Sequence, residues 1–146
     1  MDVYFGTNRD PRPAKNPRNF GKRFSNDGMA NLRFGKAVVQ GSKVTVQVHA
    51  ERLTKSRGTN ATSATSKLGS LTLFDGLRER MRSSGSDTIV YIHGYNVSFK
   101  EALRAAAKVG RNFSSLNGGR GVNMLAFSWP SDGSMAPWLA YANDRR

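Results

Sequence analysis

The sequence predicts an α/β fold: N-terminal strands, then a parallel βαβ unit, with covering helices. Two runs of strand length and apolar character, Thr88–Ile92 and Val122–Phe127, flank an amphipathic segment. That spacing matches a right-handed βαβ crossover. Further upstream, strict apolar–polar alternation marks half-buried strands. Strands that alternate with helical patterns point to a sheet covered by helices.

The elements follow in chain order. Residues 9–23, RDPRPAKNPRNFGKR, hold three prolines and most of the local charge, and read as an extended basic arm or loop. In residues 36–53, Val44, Val46 and Val48 alternate with Thr45, Gln47 and His49; this strand pairs with Ala37–Val39 through the Gln40-Gly41-Ser42 turn. His49 is expected on the surface. Residues 56–70 are rich in Ser, Thr and Gly and are expected as a long loop. In 71–82, Leu73, Leu77 and Met81 recur at helical spacing with Phe74 alongside, despite Gly76.

Thr88–Ile92 is a continuous apolar run, expected to be buried on both faces. Ser98-Phe-Lys-Glu101 matches the S-x-x-E capping box and opens a helix. Its predicted buried face carries Phe99, Ala102, Leu103, Ala106, Val109 and Phe113. Asn117-Gly-Gly-Arg-Gly121 stops it. With 146 residues, a single domain is the expectation.

Composition narrows the function classes. The chain has no cysteine, which excludes disulfides, thiolate metal sites and a cysteine nucleophile, and fits a reducing compartment. The two histidines, His49 and His93, have no clustered carboxylates, so no metal and no other cofactor is expected. No apolar leader or membrane-length run is visible, and a cytoplasmic location follows as the expectation. The formal net charge is +13. Residues 1–82 hold 16 Lys/Arg against 6 Asp/Glu, whereas residues 83–146 hold 7 against 4. The excess lies away from the βαβ unit.

Ligands of α/β sheets collect beyond the carboxyl ends of the strands. His93-Gly94-Tyr95-Asn96 and Ser128–Gly133 each follow a predicted strand and would face one cleft. A glycine there lets a ligand approach the backbone, and amides at a helix start favour an anion or oxyanion. That arrangement suits acyl transfer. His93 reads as a residue that pins the turn in preference to a general base, because a base needs a nucleophile in reach. Ser98 has a cap role that accounts for it. Trp129 and Pro130 read equally as core and turn. There is no G-x-S-x-G, no phosphate-binding P-loop and no dinucleotide fingerprint.

The segments YFGTNR, YIHGYNVSFKEALRAAA, FSWPSDG and YANDRR occur in that order. Together they resemble the motifs of a bacterial α/β-hydrolase-like family catalogued as a domain of unknown function. The resemblance runs from Tyr4 onward and is weak over 21–70. It implies a partial α/β-hydrolase-like sheet and a serine-hydrolase arrangement acting on small ester-like substrates. In it, His93, Gly94, Tyr95 and Asn96 match the oxyanion-hole loop, with Tyr95 and Asn96 as amide donors. Ser128, Trp129, Pro130 and Ser131 match the pocket rim, and Tyr141 and Asp144 match a Tyr-x-x-Asp pattern.

The departure is the triad, which runs serine, acid, histidine along this fold. Both histidines precede the position of that serine, so no catalytic residue is expected within residues 1–146, and the domain is expected to be incomplete. In the hydrolase sheet order Thr88–Ile92 lies next to the strand that bears the nucleophile. It would therefore be an open edge, able to self-associate. The alternative reading is a non-catalytic basic module that contacts nucleic acid or another anionic surface through the 9–23 arm. Against it, the arm offers few aromatics, only Phe20 and Phe24, and no nucleic-acid motif is visible.

Overall fold

The computed structural model describes residues 1–25, 32–50 and 68–131. Its main sheet has five strands in the order β5-β4-β1-β7-β6. These are β1 (Asp2–Thr7), β4 (Arg33–Gln40), β5 (Lys43–Val48), β6 (Thr88–Ile92) and β7 (Asn123–Ser128). A separate two-stranded sheet joins β2 (Arg9–Arg12) and β3 (Asn19–Phe24). The helices are α1 (Gly69–Ser84) and α2 (Phe99–Leu116).

β5, β4 and β1 form an antiparallel meander, while β1, β7 and β6 run parallel. The β4–β5 turn is the expected one: Gln40 pairs with Lys43, and Gly41 takes φ 55°, a conformation that favours glycine. Strand alternation then sorts side chains between two layers. Val3 and Phe5, Ala37 and Val39, Met124 and Ala126 face α2, meeting its Phe99, Leu103, Ala106 and Ala107. Tyr4, with Phe34 and Leu125 beside it, faces Leu73 and Leu77 of α1. Arg80 of α1 reaches Asp2 at 3.2 Å, and Lys36 meets the same carboxylate at 2.7 Å.

The capping box forms as expected. The Ser98 hydroxyl accepts from the Glu101 amide, and the Glu101 carboxylate accepts from the Ser98 amide. That carboxylate is held below its usual range, chiefly by its hydrogen bonds from the Ser98 side chain and backbone. Asn117 caps the other end, followed by Gly118 and Gly119 at positive φ.

Several expectations change. Residues 9–24 are a β-hairpin in place of an extended arm, with Phe20 buried between the rings of Phe5 and Phe99 at 6.1 and 4.7 Å. β6 is not buried on both faces: Val90 is 60% and Ile92 63% exposed. It is the sheet edge, and among the described residues no helix covers that side. The buried face of α2 is also rotated. Gly110 packs so closely on Met1 and Met124 that a Cβ there would overlap both, and Ala107 joins it inside. Val109 and Phe113 turn out to the flank, 39% and 46% exposed. On α1, Phe74 and Met81 are likewise largely exposed. His49 is half-buried, its amide donating to the Phe34 carbonyl at 2.8 Å. The 56–70 loop lies outside the described residues up to 67, and Gly69 and Ser70 already belong to α1.

Leu103 is fully buried and Ile92 is not. Leu103→Ala should cost about 2–5 kcal/mol of unfolding free energy. Ile92→Thr should stay within about 0.5 kcal/mol. Urea denaturation followed by circular dichroism checks both.

Candidate functional site

Because β1, β7 and β6 are parallel neighbours, their carboxyl ends lie along one edge of the sheet. The segments that leave them carry Thr7-Asn8-Arg9, Ser128–Ser131 and His93–Asn96. Arg9 lies among them with 0% exposure. Its Nε donates to Ser128 Oγ at 2.9 Å, and one terminal nitrogen donates to the Gly21 carbonyl at 3.0 Å and the Ser131 carbonyl at 3.5 Å. The other donates to the Val97 carbonyl at 2.6 Å and lies 3.3 Å from His93 Nε2. One side chain thus ties the hairpin and both loops together. Thr7 extends the set, donating to the Ser128 carbonyl at 2.6 Å and accepting from the Arg9 amide at 3.2 Å.

The neighbours assign the His93 tautomer. Nδ1 lies 2.6 Å from the Gly94 carbonyl, so it carries the proton. Nε2 then accepts, from Arg9 and from the Ser128 hydroxyl at 3.3 Å. The Trp129 carbonyl, 3.2 Å from Nε2, would suit only a protonated ring. A second proton there would sit against the Arg9 guanidinium, so the neutral form wins. Burial, foremost, and the Arg9 charge push the His93 pKa below its ordinary value, against the two carbonyls. Arg9 itself is pushed down to about 10 by desolvation, and it keeps its charge at neutral pH. Trp129 closes the other side, stacked on His93 at 5.2 Å with 7° between the planes and donating Nε1–H to the His93 carbonyl at 3.0 Å.

Ser128 and His93 are within hydrogen-bond reach, at 3.3 Å, but their surroundings differ from those of a catalytic dyad. Ser128 is 0% exposed, its oxygen already accepts from Arg9, and His93 Nδ1 faces a carbonyl where a triad has a carboxylate. Ser131 is 1% exposed and accepts from the Val97 amide at 3.3 Å; Pro130 is buried beside it. These residues support the loop from below.

What the loop presents outward is different. Gly94 is exposed, and among the described residues no atom lies within 4 Å of where a Cβ would stand. Tyr95 is 42% exposed. Asn96 takes φ 58°, the left-handed conformation that Asn tolerates better than other side chains. Among the described residues its amide meets no acceptor, and its buried Oδ1 has no partner. Tyr141 and Asp144 lie outside the described residues. Among those described, no group of three or more metal-ligating side chains occurs, and no helix is long and apolar enough to cross a membrane.

The family model described as "Alpha/beta hydrolase of unknown function (DUF900)" matches residues 73–146, half of the chain. The chain belongs to this family. No curated protein and no solved structure matches it. Within the matched segment lie α2, β6, β7 and both loops of the site. Arg9 and Thr7 lie outside it, and sequence reasoning missed them as site residues. The available signal was their place in YFGTNR, at the end of an apolar run, where charge counting assigned Arg9 to the surface.

Two measurements test this network. Arg9→Met would leave the Gly21, Val97 and Ser131 carbonyls without its charge-assisted donors; at about 1–3 kcal/mol per buried orphan, it should unfold the protein or cost several kcal/mol in denaturation. The lowered His93 pKa also sets a pH dependence. The unfolded chain binds the proton more readily, so this stability is fully present above the unfolded value of about 6.5 and is lost as pH falls toward the folded pKa. Between pH 7 and 5 the wild type should lose stability that His93→Gln does not lose.

Proposed function

We propose that residues 1–146 supply the oxyanion-hole half of a serine hydrolase acting on ester-like bonds, with the nucleophile, acid and base outside these residues. Family membership supports the hydrolase class. The loop after β6 supports the role. It lies at the carboxyl edge of parallel strands, between a buried histidine and a capped helix, as an oxyanion loop requires.

The observation that carries the reading is Asn96. Its left-handed backbone and unclaimed amide sit beside the open space over Gly94. A tetrahedral intermediate places a full negative charge on the former carbonyl oxygen. Amides already aimed at that oxygen stabilise it without reorganising. Beneath them the charged Arg9 adds a positive field of the right sign, little screened because it is buried. Arg9 and His93 therefore act as positioning residues, and the backbone does the chemistry.

The absence of a usable nucleophile among the described residues gives the test. Residues 1–146 alone should not hydrolyse p-nitrophenyl acetate above background. Coding sequence past codon 146, in frame or shifted, should contain a G-x-S-x-G segment. A chain continued through that segment should hydrolyse the ester. Gly94→Val should then lower kcat by about 10²-fold or more, with the fold retained. Turnover by residues 1–146 that vanishes in Ser128→Ala would overturn the proposal.

A further inference from the structure

The β2–β3 hairpin forms its own sheet and touches the main one through Phe20 and Arg9. Between the hairpin and the first turns of α2 this leaves a cavity of about 750 Å³. Its polar lining includes Arg12, Lys22 and Arg23 from the hairpin and Ser98, Lys100 and Arg104 from α2. Five cations therefore surround one concave space. Among the described residues two carboxylates are nearby, Asp10 and Glu101, and both are occupied. Asp10 accepts from Arg12 Nε at 3.0 Å and from the Arg23 amide at 3.1 Å, and Glu101 is taken up by the capping box. Among the described residues Lys22, Arg23, Lys100 and Arg104 form no ion pair.

The placement of these charges works against the local structure. Lys100 stands in the first turn of an 18-residue helix, at the positive end of its dipole. Arg104 follows one turn later, a like-charge pair at i,i+4 that weakens a helix. The hairpin adds Lys22 and Arg23 across the gap. Arg104 donates Nε to the Ser42 carbonyl at 3.1 Å and lies near Glu101, but Lys22, Arg23 and Lys100 have no ion-pair partner among the described residues, and local rules broken together mark functional sites. An anion in the cavity would compensate all of them.

Position narrows the ligand. Ser98 follows Val97, whose carbonyl accepts from Arg9, and Gly21 of the lining also gives its carbonyl to Arg9. The cavity and the Asn96 loop therefore share a wall. Volume narrows it further, because small-molecule sites run to roughly 300–1,000 Å³. Single-stranded nucleic acid calls for exposed aromatic faces on which bases stack. The two aromatics of this lining, Phe20 and Phe99, are 4% and 1% exposed.

We infer that this cavity binds a phosphate-bearing small molecule, so that the hydrolase acts on an ester whose substrate carries a phosphate or diphosphate group. The substrate class rests on the hydrolase reading; the anion site does not.

The test is titration of residues 1–146 with inorganic pyrophosphate, followed by isothermal calorimetry and amide NMR shifts. Saturable binding is expected, with the largest shifts at Ser98–Lys100 and Lys22–Arg23. Lys100→Ala/Arg104→Ala should weaken it at least 10-fold, with circular dichroism confirming the fold. Lys15→Ala/Arg18→Ala, the same loss of charge outside this lining, should change it less than 2-fold. Equal weakening by both pairs, or shifts spread evenly over the surface, would overturn the site, since either reports net charge alone. So would a 20-nucleotide RNA that binds and is not displaced by pyrophosphate. Pyrophosphate binding without ester turnover by the continued chain would leave the site standing and remove the hydrolase reading. Turnover without pyrophosphate binding would do the reverse.

Discussion

A single buried guanidinium organises the end of this molecule at which the parallel strands finish. Burying a charge is costly unless its hydrogen bonds are replaced, and Arg9 replaces them with neutral acceptors: a hydroxyl, an imidazole nitrogen and main-chain carbonyls. Each is a charge-assisted bond, stronger than its neutral counterpart. The acceptors come from three separate stretches of chain, at residue 21, residues 93–97 and residues 128–131. Lysine carries a point charge on a flexible stem and could not span this fan of acceptors. The residue type follows from the geometry that has to be bridged.

The consequences spread outward from that contact. With Arg9 beside it, His93 stays neutral and its proton stays on Nδ1, bonded to Gly94. That bond and the Trp129 indole hold both faces of the turn, so the chain can pass through a left-handed Asn96 on its way to the Ser98 cap. The cost of the strained residue, of order 1–3 kcal/mol, is offset by a surround that permits no other path. Among the described residues the loop presents an open glycine, the exposed Tyr95 and an unclaimed Asn96 amide.

The βαβ unit was legible because each of its signals is local. Apolar runs give β6 and β7, the Ser98–Glu101 pair opens α2, and Asn117-Gly118 closes it. The β4–β5 hairpin was legible for the same reason. The failures are non-local. Val109 and Phe113 have the periodicity of a buried face, but Gly110 lets Met1 and Met124 come so close that the helix rotates about that contact. Val90 and Ile92 are apolar enough for an interior strand, yet their burial depends on what lies beside them. Arg9 was hidden by arithmetic: inside a run of basic residues one arginine looks like the next. Only the parallel pairing of β1 with β7 distinguishes it. The loop residues of the candidate site could be picked out from sequence, whereas the side chain that holds them could not.

That pairing also sets an order of assembly. β1, β4 and β5 form a meander from residues 2–48, and their contacts are close in sequence. β7 then joins the exposed side of β1 at a separation of about 120 residues, and the Arg9 bonds span 119 and 122. Contacts of that range form late and slow folding. On the ribosome, at roughly 5–20 residues per second, the apolar edge of β1 waits several seconds for its partner. The meander is in that interval a sheet with an unpaired, aggregation-prone flank, and the arginine lacks the acceptors that β7 and the segment after it supply. The same long-range parallel strand that builds the site leaves the nascent chain dependent on protection until β7 emerges.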